Sequence, residues 1–224
     1  RFDEGYGLNE DAIRQLADEN VDLMITVDCG VRSVKEVDLA NALGLSVIIT
    51  DHHQPGDVLP AALALINPQQ KGDVYPEKDL AGVGLAYKLV QAYLSRYPQS
   101  GVDADDWLDL VAIGTVVDLA PLKGENRLLV RAGIDKLRRT PRQGIYSLAQ
   151  AAGVNLDRCD ATTLGFQLGP RLNAAGRLES ALSALQLLTT EDIFEAGQLA
   201  QQLDTYNQER QDMTNDIRER AAAM

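Results

Sequence analysis

The feature that most constrains this chain is a strand, helix and strand packed between positions 21 and 50. Residues 21–27 read Val-Asp-Leu-Met-Ile-Thr-Val and residues 45–50 read Leu-Ser-Val-Ile-Ile-Thr, two runs of β-favouring side chains bounded by turn residues. Between them, Ser33-Val34-Lys35-Glu36 has the spacing of a capping box that opens a helix, and Gly44 closes it. Strands joined through a helix by such short connections must run parallel, and apolar strands of this kind are expected to be buried on both faces. In an open parallel sheet the strand C-termini share one edge, where ligands bind. Asp28 leaves the first strand and Asp51-His52-His53 leave the second, so the spacing predicts that they converge there. A shorter run over 62–66, ending at Asn67-Pro68, supplies a third strand.

Elsewhere the pattern is helical. Asn9 is an N-cap with Glu10 and Asp11 in the first turn. Gly82-Val83-Gly84 opens a helix, and a second over 107–119 delivers Asp118 at its end. Shorter helices follow over 127–137 and 145–151, and Gly169-Pro170 is expected to break the chain. A last helix starts near Thr190-Glu191-Asp192, with Leu199, Leu203, Tyr206, Met213 and Ile217 along one seam. The expected fold is therefore α/β: a parallel sheet with flanking helices over 1–125, a helical part over 126–189 and a long connector helix over 190–224. The chain opens at Arg1 on a loop and ends on an uninterrupted polar helix, so both ends read as cuts.

With 45% apolar and 24% charged residues, 224 residues can bury a real core. No run is long enough to span a bilayer and the start lacks signal-peptide character, which predicts a cytoplasmic protein with no membrane partner. Cys29 and Cys159 match no metal or redox spacing and are expected as reduced thiols. A formal charge of −12 counts against nucleic acid, since phosphate binding normally rests on clustered cations. Charge distribution is a separate matter: Arg127, Arg131, Lys136, Arg138, Arg139 and Arg142 gather in a short stretch that holds few acids. A solvated helix face is the more ordinary explanation of that cluster, which gives only weak support for nucleic acid.

The chain's only two histidines are adjacent, follow an aspartate and end a strand. Imidazole with carboxylate suits Mn²⁺ and related ions, whereas carboxylates alone lean towards Mg²⁺. Neighbouring residues leaving a strand point differently, so one histidine can bind metal while the other faces substrate. Asp118, among valines and leucines, would be costly to bury as an anion unless it met a cation.

In order along the chain, Val27-Asp28-Cys29-Gly30, Asp51-His52-His53, Leu80-Ala81-Gly82-Val83-Gly84, Gly114-Thr115-Val116-Val117-Asp118-Leu119-Ala120-Pro121 and Gly169-Pro170-Arg171-Leu172-Asn173-Ala174-Ala175-Gly176-Arg177-Leu178 resemble successive motifs of bacterial RecJ exonucleases, within the DHH phosphoesterases. The last run is the more specific signal, because the Asp-His-His triplet is shared across phosphoesterases of several substrates. The resemblance implies a two-metal phosphodiesterase, using Mn²⁺ or Mg²⁺, that removes nucleotides from the 5′ end of single-stranded DNA in repair and recombination. It implies Asp28, His52 and Asp118 as metal ligands, His53 at the scissile phosphate and Asp51 orienting its neighbours. Arg171, Asn173 and Arg177 fall in the stretch expected near substrate phosphates. The family's Asp-rich motif that completes the first metal would precede Arg1, so this chain by itself is expected to hold one ion weakly and to cut DNA poorly. Two other readings stay open: a DHH phosphodiesterase of short oligonucleotides or cyclic dinucleotides, and a non-catalytic DNA-binding relative.

Overall fold

The computed structural model describes residues 7–178 and 180–222, with the side chains of Arg177 and Leu178 outside the described set. Two compact units divide the chain, Arg1–Val130 and Arg131–Met224.

The first unit begins with α1 (Glu10–Asp18), whose N-terminus is capped as its sequence predicts: Asn9 Oδ1 accepts the Ala12 N–H at 2.8 Å. Strands β1 (Leu23–Val27), β2 (Ser46–Thr50) and β3 (Ala64–Ile66) form a parallel sheet in the order β1-β2-β3, with Ile25 opposite Ile48 and Ile48 opposite Ala64. Helix α2 (Val34–Ala42) makes the crossover from β1 to β2. Its capping box does not form. Ser33 sits at the N-cap, but its hydroxyl makes no cap bond; its N–H is instead held by Gly30 O at 2.9 Å in the turn that leaves β1.

One face of the sheet is dry: Ile13, Val37, Ala40, Leu45, Val47 and Ile49 make a single buried cluster between the strands and the two helices. The other face of β1 differs from the sequence expectation. Leu23, Ile25 and Val27 remain 45%, 49% and 50% exposed, because β1 is an edge strand among the described residues and an apolar run alone does not guarantee cover on both sides. Helix α3 (Gly82–Arg96) and helix α4 (Leu108–Val117) pack together over a second cluster that includes Leu80, Leu85, Tyr87, Leu108 and Val111. Gly114 permits their close approach, since a Cβ there would stand 2.7 Å from Val83 Cγ1. Helix α5 (Gly124–Leu137) then runs across the division between the units.

The second unit comprises α6 (Gln143–Ala151), the short α7 (Ala161–Thr163), a π-helical turn over Leu164–Leu168, α8 (Gly169–Leu178), α9 (Leu182–Thr189) and the long α10 (Ile193–Ala222). Gly169-Pro170 does not break the chain as expected. A proline is tolerated in the first turn of a helix, and the preceding π turn closes with Gly169 N–H on Leu164 O, which widens the backbone where the proline enters. The seam of α10 also differs: the buried residues are Ala196, Ala200, Leu203 and Asn207, while Met213 and Ile217 are 49% and 68% exposed. Small residues let the helix axes approach α6, α8 and α9, a choice that hydrophobic periodicity does not reveal.

Candidate metal centre

The cluster is built where two strands end. Asp28 N–H still donates to Thr50 O at 2.9 Å, extending the β1–β2 ladder, and then the backbone turns left-handed with φ +67 at Asp28 and +109 at Gly30. That conformation is unfavourable for most side chains, though aspartate and asparagine tolerate it best. Two threonines pin the turn: Thr26 Oγ1 donates to Cys29 O at 2.7 Å and Thr50 Oγ1 to Thr26 O at 2.7 Å. The consequence is a rigid launching point for the Asp28 carboxylate. Gly82, the first residue of α3, lies directly against it; a Cβ there would come within 2.6 Å of both Asp28 Cβ and Oδ1. A carboxylate at the start of a helix also meets the positive end of the helix dipole.

From β2, Asp51 turns inward. Its side chain is 2% exposed and accepts a fan of donors: Val31 N–H on Oδ2 at 2.9 Å, and on Oδ1 the N–H groups of His52 at 2.8 Å and His53 at 3.1 Å. The same oxygen stands 2.6 Å from His53 Nδ1. Burial would raise the Asp51 pKa, but the Val31 N–H together with the side chain, the backbone N–H and the charge of His53 outweighs it, so the carboxyl is held below its ordinary range. The loop after β2 is secured further by buried Asn67, whose Nδ2 donates to His53 O at 2.8 Å and whose Oδ1 accepts Gln69 N–H at 2.7 Å.

His52 points the other way. Its Nε2 lies 2.9 Å from Asp28 Oδ1 and 3.5 Å from Asp118 Oδ2. Asp118 reaches this position as the C-cap of α4, just before Leu119 enters a left-handed turn at φ +61. The bond from Asp28 raises the His52 pKa against the opposing effect of burial, and Asp118 adds to the rise. Asp118 itself is pushed up, first by burial and then by the negative charge of Asp28, although His52 counteracts this. Two carboxylates held against one imidazole repel each other until a cation sits among them.

Asp28, His52 and His53 each offer a ligand atom, all within 4.8 Å of one another, and Asp118 adjoins through His52. The donor set of carboxylate oxygen and imidazole nitrogen fits a divalent ion of the Mn²⁺ type. The positions that the sequence singled out in the first unit, Asp28, Asp51, His52, His53 and Asp118, are thus brought together. Gly82, Asn67 and the Val31 N–H also shape the centre. The sequence signals for them were slight: a glycine at a helix start, and an asparagine closing the third apolar run.

Arg171, Asn173 and Arg177 all lie on α8 in the second unit. Arg171 is largely enclosed, with Nε 2.7 Å from Asp204 Oδ1 on α10 and Nη1 donating to Gln167 O at 2.7 Å. Asn173 is exposed, and the Arg177 side chain lies outside the described residues.

A family model described as "DHH family, N-terminal domain" matches residues 4–115. The chain belongs to the DHH family. This DHH-family chain is 48% identical over its whole length to the single-stranded-DNA-specific exonuclease RecJ of Bacillus subtilis, and it spans 28% of that protein. Its fold matches a crystal structure of exonuclease RecJ bound to manganese with a TM-score of 0.86 at 36% identity, covering 97% of this chain and 54% of that one. A structure of RecJ from Thermus thermophilus in complex with Mn²⁺ matches with a TM-score of 0.83 at 35% identity, covering 93% of this chain and 31% of that one.

Proposed function

We propose that this chain carries the metal-binding core of a phosphodiesterase that removes nucleotides from the 5′ end of single-stranded DNA, with Mn²⁺ or Mg²⁺ as cofactor. The observation that carries the proposal is the meeting of Asp28, His52, His53 and Asp118 at the C-terminal edge of a parallel sheet. The similarity to RecJ proteins of known substrate supplies the substrate class. A role in DNA repair and recombination in the cytoplasm is part of the same proposal. Among the described residues no helix is long and apolar enough to cross a membrane.

Each residue has a task. Asp28, His52 and Asp118 hold the ion. His53, half-exposed and with Nδ1 engaged by Asp51, contacts the scissile phosphate. Asp51 is a positioning residue that fixes the ring orientation of His53 and the backbone of both histidines. Asn173 and Arg177 on α8 contact the DNA backbone, and Arg171 keeps α8 on α10 while contributing positive charge to the strand. When bound, divalent ions supply an acidified water and neutralise the charge that builds on the diester.

The test is digestion of 5′-labelled and 3′-labelled single strands, beside a duplex and a dinucleotide, by the full-length protein that carries this sequence. Metal-dependent loss from the 5′ end of the single strand alone, abolished by chelator, is expected. Turnover confined to the dinucleotide would place the protein among short-substrate phosphodiesterases, and metal-independent DNA binding without turnover would make it a scaffold.

A further inference from the structure

We propose that an open pocket of the second unit is a nucleotide subsite for single-stranded nucleic acid, built from residues other than those of the metal cluster. The inference rests on the reading above that the protein handles single-stranded DNA. The pocket, about 480 Å³, lies where the end of α5, helix α6 and the turn after α6 meet, and its wall includes Arg138, Arg139, Tyr146, Gln150, Asn155 and Asp157. Its volume falls within the roughly 300–1,000 Å³ of ordinary small-ligand sites.

Charge is the first argument. The chain carries a net −12, yet the stretch between positions 131 and 142 holds Arg131, Lys136, Arg138, Arg139 and Arg142 with one acid, Asp135, and Asp160 adds a second negative charge near Arg138. The pocket opens beside this stretch. Arg138 is fixed in its wall, with Nη1 3.0 Å from Asp135 Oδ1 and Nη2 donating to Cys159 O at 3.0 Å. Arg139 is exposed and forms no ion pair among the described residues, so its guanidinium is available for a phosphate.

Shape and chemistry are the second. Tyr146 lines the pocket while remaining 53% exposed, so its ring is accessible to a ligand. An accessible aromatic ring beside cations is what single-strand binders use to stack a base while the cations follow the backbone. Gln150 is exposed on the same wall and its amide can both donate to and accept from a base edge. Asn155 Oδ1 accepts Asp157 N–H at 2.9 Å, which sets the turn and leaves the Asp157 carboxylate at the rim. That carboxylate would repel any anion, a phosphate included, but can accept from the exocyclic amino group of adenine, cytosine or guanine. With the Tyr146 ring to stack on as well, a nucleotide fits the lining better than an acidic protein segment.

The experiment is fluorescence anisotropy of labelled oligodeoxycytidylate, whose bases carry the exocyclic amino group, with the full-length protein in chelator, comparing wild type with Arg139→Ala, Tyr146→Leu and Tyr146→Phe. The expected result is binding weakened about tenfold by the first two and nearly restored by phenylalanine. Equal affinity across all four proteins, high or absent, would overturn the subsite, as would displacement of the oligonucleotide by oligoglutamate at equal concentration. DNA turnover by the wild type in Mn²⁺ is read in parallel: its absence with the variant pattern intact would sink the hydrolytic reading and leave the subsite standing.

Discussion

At the scale of single residues, the centre depends on one carboxylate that touches no substrate. Asp51 is nearly inaccessible, and four donors converge on it. Its depressed pKa means that the folded chain gains stability from its ionised form at all pH values above the ordinary carboxyl range, about 4. That gain is lost as pH falls through the depressed folded value. Denaturation midpoints measured across acid pH are therefore expected to fall steeply for the wild type and more gently for Asp51→Asn. The same substitution loosens both histidines and is expected to weaken Mn²⁺ binding by about 10- to 100-fold, the effect usual for groups that orient metal ligands. The Asp51-His52-His53 triplet was readable in the sequence because only two histidines exist and they end a strand. The donor fan around Asp51 was not, since it depends on the backbone of residue 31, whose position only the fold determines.

Among the elements, glycines at two helix contacts carry predictions of different kinds. Gly82 opens α3 against the Asp28 side chain, and a methyl there would overlap the carboxylate. Gly82→Ala is expected to leave most of the fold intact but to displace the ligand, lowering DNA turnover on the order of a hundredfold. Gly144 on α6 meets the backbone of α9, where an added Cβ would lie 1.6 Å from Leu187 O. Backbone cannot step aside as a flexible side chain can, so Gly144→Ala is expected to destabilise by about 1–3 kcal/mol, seen as a thermal midpoint lower by several degrees. Hydrophobic pattern located the strands and most helices, because apolar spacing reports the buried stripe. It failed where burial uses small or polar residues: the α10 stripe of Ala196, Ala200, Leu203 and Asn207, and the helical course of Gly169–Leu178 through a proline.

For the whole molecule, the net charge and the proposed substrate conflict only on average. Acids dominate the sequence, yet five of its 21 basic residues fall between positions 131 and 142 of the second unit, beside one acid, Asp135. The proposed function rests on a metal site at the sheet edge of the first unit. The direct test is Mn²⁺ titration followed by electron paramagnetic resonance, which reads weak as well as tight binding, on this chain and on its Asp28→Asn and His52→Ala variants. Asparagine keeps the tolerance for the left-handed backbone at position 28, so that variant removes a ligand charge with little disturbance of the turn. Saturable binding by the wild type is expected, falling at least about tenfold in each variant. Equal Mn²⁺ binding by all three proteins would mean that the ion sits elsewhere than at this sheet edge.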